Sequence, residues 1–234
     1  MGNVLLIVIP VILILLISFY ESFNIKAGIY INSLCEKDTD EKVAAITFDD
    51  GPYPEQTSKI LEILKEREVE AAFFCVGANI KNNRELVKKI DEEGHIVGNH
   101  SYCHTWKFPW FGYRKMEQDL RRCDKLIEEV TGKKVNFFRP PFGVTNPAVA
   151  KAVESIGYVS IGWNIRSLDT TCKGNIDKVL GRIEKKIRPG SIILLHDRLP
   201  FSDQLLVRVL DMLIERGYRI ERIDKLLGRS AERG

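Results

Sequence analysis

From Val43 onward, short apolar runs alternate with longer stretches that mix charged and apolar residues. The runs are rich in β-branched and aromatic residues, which suit strands. In the longer stretches the apolar residues recur at helical spacing. A strand followed by a helix, repeated about seven times, predicts an α/β fold with a parallel sheet. Whether such a sheet is open or closed into a barrel, functional sites gather at the carboxyl ends of its strands.

The segment from Val4 to Tyr20 is almost wholly apolar. About 17 residues is near the lower limit for a helix that crosses a bilayer. No Lys or Arg precedes the segment and no small-residue cleavage site follows it, so the sequence favours an uncleaved membrane anchor over a cleaved signal peptide. We therefore predict an anchor at residues 1–23, a linker at 24–42, a folded domain at 43–228 and a tail at 229–234. The folded domain is expected on the extracytoplasmic side of the membrane.

Charge and cysteine content exclude several classes of protein. The formal net charge is only +3, and Lys and Arg stand beside Glu and Asp along the helical stretches, so no nucleic-acid-binding surface is indicated. The five cysteines are odd in number and form no C-x-x-C pair, which argues against a zinc ribbon and against a disulfide framework.

Two adjacent carboxylates, Asp49 and Asp50, end the first predicted strand, and Gly51 and Pro52 break it at once. Neighbouring carboxylates repel each other unless a cation separates their roles. A bound metal would do so, with one Asp coordinating and the other remaining free as a base. The alternative is a solvated turn, since Asp and Gly are common turn residues.

His100 and His104 lie four residues apart after another predicted strand. On a helical turn both imidazoles would face the same side and could share one metal, although two histidines at this spacing are also found without one. Together with an Asp at a strand end they would form a His-His-Asp site with open positions, as in catalytic zinc centres. The expected cofactor is Zn²⁺, with Co²⁺ or Mn²⁺ as alternatives.

Arg139 and His196 follow two further strands. Arg139 enters a stiff loop with two prolines and can pair with a carboxylate, holding it ionised and oriented. His196 ends the most apolar strand and can act as a general acid, because the pKa of an imidazole is easily tuned near neutrality. Asp169 could hold the other ring nitrogen of His196, or it could cap the helical turn that begins at Thr170.

Five motifs in chain order resemble those of the polysaccharide deacetylases, carbohydrate esterase family four, which share the NodB homology domain. They are T-F-D-D-G at 47–51, H-x-x-x-H at 100–104, R-x-P-F at 139–142, the stretch from Trp163 to Asp169, and L-x-H at 194–196. The resemblance covers Val43 to Leu227. It implies a distorted (β/α)7-8 barrel, here with an N-terminal membrane-anchor helix. It also implies metal-dependent removal of N-acetyl groups from amino sugars of a cell-surface polysaccharide, with release of acetate.

The resemblance also implies a role for each matching residue. Asp49 would be the general base, positioned by Arg139, and His196 would be the general acid, tuned by Asp169. The implied metal ligands are Asp50, His100 and His104. The implied substrate-binding residues are Phe142, whose backbone N–H would stabilise the oxyanion, Leu194, which would line the pocket for the acetyl methyl group, and Trp163.

Three positions depart from the family pattern: Phe142 replaces a Tyr, Arg166 an Asp and Thr170 a Trp. The last two change the wall and the charge of the pocket, so the substrate stays open. Peptidoglycan, a chitin-like oligomer and an exopolysaccharide are candidates for N-deacetylation. Alternatives are an O-acetyl esterase, a deacylase of a lipid-linked sugar, and a non-catalytic glycan-binding protein. The aromatic stretch from Trp106 to Phe111 is either a packed loop or a sugar-stacking rim beside the site.

Overall fold

The computed structural model describes residues 2–233 of the chain. The strands are β1 (Val43–Asp49), β2 (Ala72–Cys75), β3 (Ile96–Asn99), β4 (Phe137–Phe138), β5 (Val159–Ser160), β6 (Ile165–Arg166), β7 (Ser191–His196) and β8 (Arg219–Ile220). The helices are α1 (Gly2–Glu21), α2 (Pro54–Glu66), α3 (Gly77–Asn82), α4 (Arg84–Glu92), α5 (Tyr113–Thr131), α6 (Pro147–Ile156), α7 (Ile176–Lys186), α8 (Ser202–Glu215) and α9 (Ile223–Leu227).

The strands form one sheet in the order β5-β4-β3-β2-β1-β7-β6, with β8 paired to β1. Every pairing between these strands is parallel, which confirms the predicted α/β class. The path ends at β5 on one side and at β6 on the other, so the described strands form a curled half-barrel. This arrangement is consistent with a (β/α)7 barrel that is distorted rather than regular.

Strand β1 lies at the centre of the sheet, and all of its residues are buried. Ile46 and Phe48 belong to the larger apolar cluster, whereas Ala45 belongs to a smaller cluster on the opposite face. Because side chains alternate along a strand, Thr47 and Asp49 share the face of Ala45. The carboxylate at the end of β1 therefore points to the concave side of the sheet, away from the helical layer.

The segment predicted as a linker, 24–42, packs against the sheet. Two of its side chains, Ile25 and Cys35, are buried. Leu34 donates a backbone hydrogen bond to the carbonyl of Ser160 at 2.9 Å, and Glu36 pairs with Arg188. The segment therefore covers the side of the sheet near β5, where pairing between strands ends.

The apolar N-terminal segment forms the helix α1, with Pro10 inside it. Among residues 2–233, however, none of the helices has the length and apolarity that crossing a bilayer requires. The predicted transmembrane anchor at residues 1–23 is therefore not supported.

His95 precedes β3 and is buried away from the predicted site. Its Nδ1 accepts a hydrogen bond from the backbone N–H of Ala71 at 3.2 Å. Burial lowers the pKa of His95 to about 4, with Glu70 opposing the shift and Arg222 reinforcing it. The folded state thus holds this imidazole neutral.

We expect His95 to destabilise the protein in mild acid. In the unfolded chain its pKa is ~6.5, so stability is lost as the pH falls from there towards the folded value. Between pH 7.5 and pH 5, His95 should lower the free energy of unfolding by ~2 kcal/mol. Urea unfolding at both pH values, with His95→Gln beside the wild type, measures it. An equal loss in both proteins would contradict the assignment.

Candidate active site

The polar residues predicted from the sequence converge at the carboxyl ends of the strands. Asp49 ends β1 and His196 ends the neighbouring β7, and the two residues are paired in register. His100 follows β3, and Arg139 follows β4. Because parallel strands end on the same side of a sheet, these side chains from distant parts of the chain meet in one place.

Asp50, His100 and His104 face one another closely enough to hold a metal ion. Asp50 Oδ1 lies 3.3 Å from His104 Nε2 and 3.6 Å from His100 Nε2. One ligand atom from each residue lies within 4.8 Å of the others. His100 Nδ1 is 2.8 Å from the carbonyl oxygen of Arg139, to which it donates when the proton is on Nδ1. That tautomer leaves a lone pair on Nε2, facing the cluster. These three residues, called the metal-ligand cluster below, therefore fit a divalent cation with open coordination positions.

The protonation states of these residues suit metal binding. Burial and the neighbouring His100 lower the pKa of His104 to about 4, so its imidazole is neutral at neutral pH. Burial alone would raise the pKa of Asp50, but the three surrounding imidazoles and Arg198 outweigh it, and the pKa is lowered. A neutral imidazole and an ionised carboxylate are the forms that bind metal.

The two histidines lie in a loop, although their spacing is also compatible with a helical turn. Ser101 and His104 have positive φ values, 68° and 40°. Asn99 Oδ1 accepts a hydrogen bond from the Ser101 N–H at 2.7 Å, and Ser101 Oγ accepts one from the His104 N–H at 3.0 Å. These side-chain hydrogen bonds replace those of a helix. The loop still brings the two imidazole rings together, with centroids 4.7 Å apart.

Asp49 is held by the buried guanidinium of Arg139. Arg139 Nη1 donates to Asp49 Oδ1 at 2.7 Å and to Thr47 Oγ1 at 2.8 Å. The other oxygen, Asp49 Oδ2, lies 3.7 Å from His100 Nε2, at the edge of the metal-ligand cluster. One carboxylate oxygen is therefore fixed by a charge-assisted hydrogen bond and the other is directed into the site.

Asp169 takes the first of the two roles that the sequence left open. Its Oδ1 lies 2.8 Å from His196 Nδ1. It does not cap the helical turn, because it lies inside the turn at 169–171, whose N-cap residue is Leu168. Burial alone would lower the pKa of His196, but the hydrogen bond and the charge of Asp169 outweigh it, and the pKa is raised. His196 Nε2 lies 4.0 Å from Asp50 Oδ2, so the free ring nitrogen faces the site.

The three residues predicted to bind substrate differ in exposure. Phe142 is 46% exposed, and its ring centroid lies 4.8 Å from that of His104. Leu194 and Trp163 are buried. A Cβ at Gly143 would lie 2.6 Å from the Trp163 ring, so Trp163 packs directly beneath the Phe142 loop. Its contact with a substrate stays a prediction.

Sequence reasoning missed two residues beside the site. Arg198 Nε donates to Asp50 Oδ2 at 2.7 Å, which leaves Oδ1 to the histidines. Asp197 is buried and accepts a hydrogen bond from Thr57 at 2.6 Å. A Cβ on Gly51 would lie 2.0 Å from the Asp197 carboxylate, so the glycine is needed for this close approach. The signal for Asp197 was its position directly after His196, at a strand end. Arg198 comes one residue later, and no sequence pattern indicated its contact with Asp50.

Comparison with known proteins gives consistent matches along the chain. A family model described as polysaccharide deacetylase matches residues 36–161. A peptidoglycan-N-acetylglucosamine deacetylase of Bacillus cereus is 34% identical over 82% of this chain and 91% of its own length. The peptidoglycan-N-acetylmuramic acid deacetylase PdaA of Bacillus subtilis is 33% identical over 86% of this chain and 80% of its own. The crystal structure of the peptidoglycan N-acetylglucosamine deacetylase Bc1960 superposes with a TM-score of 0.79 and 27% identity, covering 85% of this chain and 94% of that one.

We expect the three-residue cluster to bind about one equivalent of divalent metal, and the His100→Ala/His104→Ala double variant to lose it, because a single carboxylate cannot replace two imidazoles. Elemental analysis after dialysis against Zn²⁺ measures the content. His95→Gln is the matched control, since it changes a buried histidine elsewhere and should keep the metal. Undiminished zinc in the double variant would place the metal at other residues.

Proposed function

The chain belongs to the polysaccharide deacetylase family and is an enzyme of the hydrolase class, and we propose that it removes N-acetyl groups from amino sugars of a cell-surface glycan. The observation that carries this proposal is the arrangement around Asp50, His100 and His104. Asp49 borders these residues at His100, and His196 borders them at Asp50. Amide hydrolysis needs such a pair, because one group must remove a proton and another must return one.

The metal-ligand cluster supplies the electrophilic part of the reaction. A divalent metal held by Asp50, His100 and His104 would polarise the amide carbonyl and the attacking water. We propose Zn²⁺ as this metal, because two imidazoles and one carboxylate with open positions are a ligand set that zinc favours.

Asp49 is the proposed general base. Its Oδ2 points into the site and would accept the proton of the attacking water. Arg139 holds Oδ1 at 2.7 Å and so fixes the orientation of the carboxylate.

His196 is the proposed general acid. Asp169 receives the Nδ1–H of its imidazolium at 2.8 Å, and the proton on Nε2 faces the site. That proton would pass to the departing amine nitrogen as the C–N bond breaks, giving acetate and a free amino sugar. The backbone N–H of Phe142 would stabilise the negative charge on the oxygen of the tetrahedral intermediate. A Phe can replace a Tyr there because the backbone supplies the contact. Leu194 would line the pocket for the acetyl methyl group.

Asp49→Asn should keep the metal but lower the rate of acetate release by at least ~100-fold, because an amide cannot take up the proton. Acetate release and metal content would be measured on the same preparation. Asp38→Asn, a change of an exposed carboxylate, is the matched control. A near-normal rate for Asp49→Asn would refute its role as the base.

A comparison of acetate release from amide and ester substrates distinguishes a deacetylase from an esterase. We expect the zinc-loaded protein to release acetate from N-acetylated glycans, namely peptidoglycan fragments, chitin oligomers or an N-acetylated exopolysaccharide. It should release far less from O-acetylated xylan. Faster release from the xylan would favour the esterase alternative.

We also propose that the folded domain acts outside the cytoplasm, where surface glycans lie. In cells that produce the protein, external protease should then reach the domain without lysis. Resistance in intact cells with degradation after lysis would contradict this location.

A further inference from the structure

Asn99 ends β3 directly before the first histidine of the metal-ligand cluster, and its side chain is fully buried. Its Nδ2 lies within hydrogen-bond distance of three acceptors, namely the carbonyl oxygen of Leu120 at 2.9 Å, Asp124 Oδ1 at 2.8 Å and the Tyr158 hydroxyl at 2.8 Å. Its Oδ1 accepts the Ser101 N–H at 2.7 Å. Acceptors surround the amide nitrogen and a donor faces the amide oxygen, so these neighbours fix the orientation of the side chain.

The Asn99 amide supports the loop that carries the two histidines. Ser101 has a φ of 68°, in the left-handed region that a residue with a side chain rarely adopts. The hydrogen bond from its N–H to Asn99 Oδ1 offsets this cost, and Ser101 Oγ in turn accepts the His104 N–H at 3.0 Å. His104 Nε2 then lies 3.3 Å from Asp50 Oδ1. The orientation of Asn99 therefore bears on the position of the second imidazole.

Asp124 and Arg233 extend these contacts away from the site. Asp124 lies on α5, and its Oδ1 accepts the Tyr158 hydroxyl at 2.6 Å as well as Asn99 Nδ2. Its Oδ2 accepts Arg233 Nη2 at 2.8 Å. The side chains of Asp124 and Arg233 are only 13% and 23% exposed. One carboxylate thus joins the Asn99 amide to a partly sheltered, charge-assisted hydrogen bond.

Arg233 is held in place by the chain around it. Its backbone N–H donates to the carbonyl oxygen of Lys134 at 3.0 Å, and its Nη1 donates to the carbonyl oxygen of Ile156. The carbon of its guanidinium lies 5.0 Å from the ring centroid of Tyr158, on which the cation stacks. Arg233 is therefore a fixed partner of Asp124.

These hydrogen bonds form an unbroken sequence through Arg233, Asp124, Asn99, Ser101 and the backbone N–H of His104. We propose that Asn99 is a positioning residue for the metal-ligand cluster, and that Asp124 and Arg233 act through it. Arg233 holds Asp124, and Asp124 holds the Asn99 amide with its oxygen towards Ser101. The loop at 100–104 thereby keeps the conformation that binds the metal. The inference rests on the proposed function, because it concerns the same metal site.

Asp124→Asn should weaken zinc binding by ~10-fold, because an amide at this position cannot serve both neighbours. If its oxygen faces Arg233, its NH2 group faces the amide nitrogen of Asn99. In the reverse orientation the NH2 group faces the guanidinium, so two donors oppose each other in either case. Competition with a chromophoric chelator measures the dissociation constant of Zn²⁺ on the full chain.

Arg233→Gln should weaken zinc binding less, by about threefold, because Asp124 still accepts from Asn99. Combined with Asp124→Asn it should restore part of the affinity, since the amide oxygen can then face Asn99. We expect the double variant to bind zinc at least ~3-fold more tightly than Asp124→Asn alone. These variants test the proposal at its half-exposed end, where a change is tolerated better than at the buried Asn99.

Two control variants match these changes outside the network. Arg229→Gln changes an exposed arginine of the same C-terminal segment. Asp211→Asn changes a carboxylate on α8 that is paired with Arg67 at 2.7 Å. Both should bind zinc as the wild type does.

Amide hydrogen exchange of the zinc-free protein reports on the loop without the metal. Asp124→Asn should accelerate the exchange of the Ser101 and His104 N–H groups at least ~10-fold more than that of Ile46 in β1, because the loop opens locally. An equal acceleration at all three positions would show that the network stabilises the whole fold and does not position the loop.

Unchanged zinc affinity in Asp124→Asn, with only a lower free energy of unfolding, would overturn the inference. A double variant that binds zinc no better than Asp124→Asn alone would overturn the role of Arg233. Absence of zinc binding in the wild type would overturn the inference together with the metal site. Zinc affinities in the expected order without any release of acetate would support the inference and count against the proposed function alone.

Discussion

The buried ion pair between Arg139 and Asp49 is the interaction on which the rest of the structure depends. The guanidinium is fully buried, and it donates to Asp49, to Thr47 and to the carbonyl oxygens of Ile161 and Gly162. A buried charge is tolerated only when it is paired and its hydrogen bonds are satisfied. Removal of the carboxylate would leave that charge uncompensated, at a cost of about 3–5 kcal/mol. The pair joins β1 to the strands at the far side of the sheet, so the residue that orients the proposed base also holds the half-barrel together.

The central position of β1 explains why the proposed catalytic residues lie at the end of a fully buried strand. Strand β8 pairs only with the start of β1, and at its end the neighbours are β2 and β7. Asp49 is therefore in register with Phe74 on one side and with His196 on the other. The proposed base and the proposed acid are thus placed by hydrogen bonds of the sheet rather than by flexible loops. The metal-ligand cluster depends more on loops, because Asp50 and His104 both have positive φ values. Side-chain hydrogen bonds to backbone groups, such as Asn79 to the carbonyl of Asp50 at 2.8 Å, fix those loops.

Much of the sheet and of the site could be predicted from the sequence, because both depend on local patterns. Apolar runs with β-branched residues identify strands, and polar residues directly after them identify a shared edge. Asp49 and His196 follow from this rule. The role of Arg198 could not be predicted in this way, because its contact with Asp50 depends on how the chain turns after β7. A periodic pattern also cannot distinguish a loop with left-handed residues from a helical turn, as at His104.

The contacts of the chain between α1 and β1 could not be predicted from the sequence. Directly after α1, Ser22 accepts a backbone hydrogen bond from Thr145 at 2.9 Å. The segment at 24–42 has the mixed polar composition of a linker, yet Ile25 and Cys35 are buried. Tertiary contacts of this kind leave no periodic signal in the sequence.

That segment has an electrostatic consequence for the site. A Cβ on Gly162 would lie 2.4 Å from Cys35 Sγ, so the sulfur covers the backbone of Gly162, whose carbonyl accepts a hydrogen bond from Arg139. Leu34 bridges to Ile161 and Glu36 bridges to Ser191, so the chain before β1 runs from the end of β5 to the start of β7. It shields the far side of the Arg139 guanidinium from solvent and keeps the local dielectric low, which strengthens the field that Arg139 exerts on Asp49. Residues remote from the reacting atoms thereby act as an insulating layer for the proposed base.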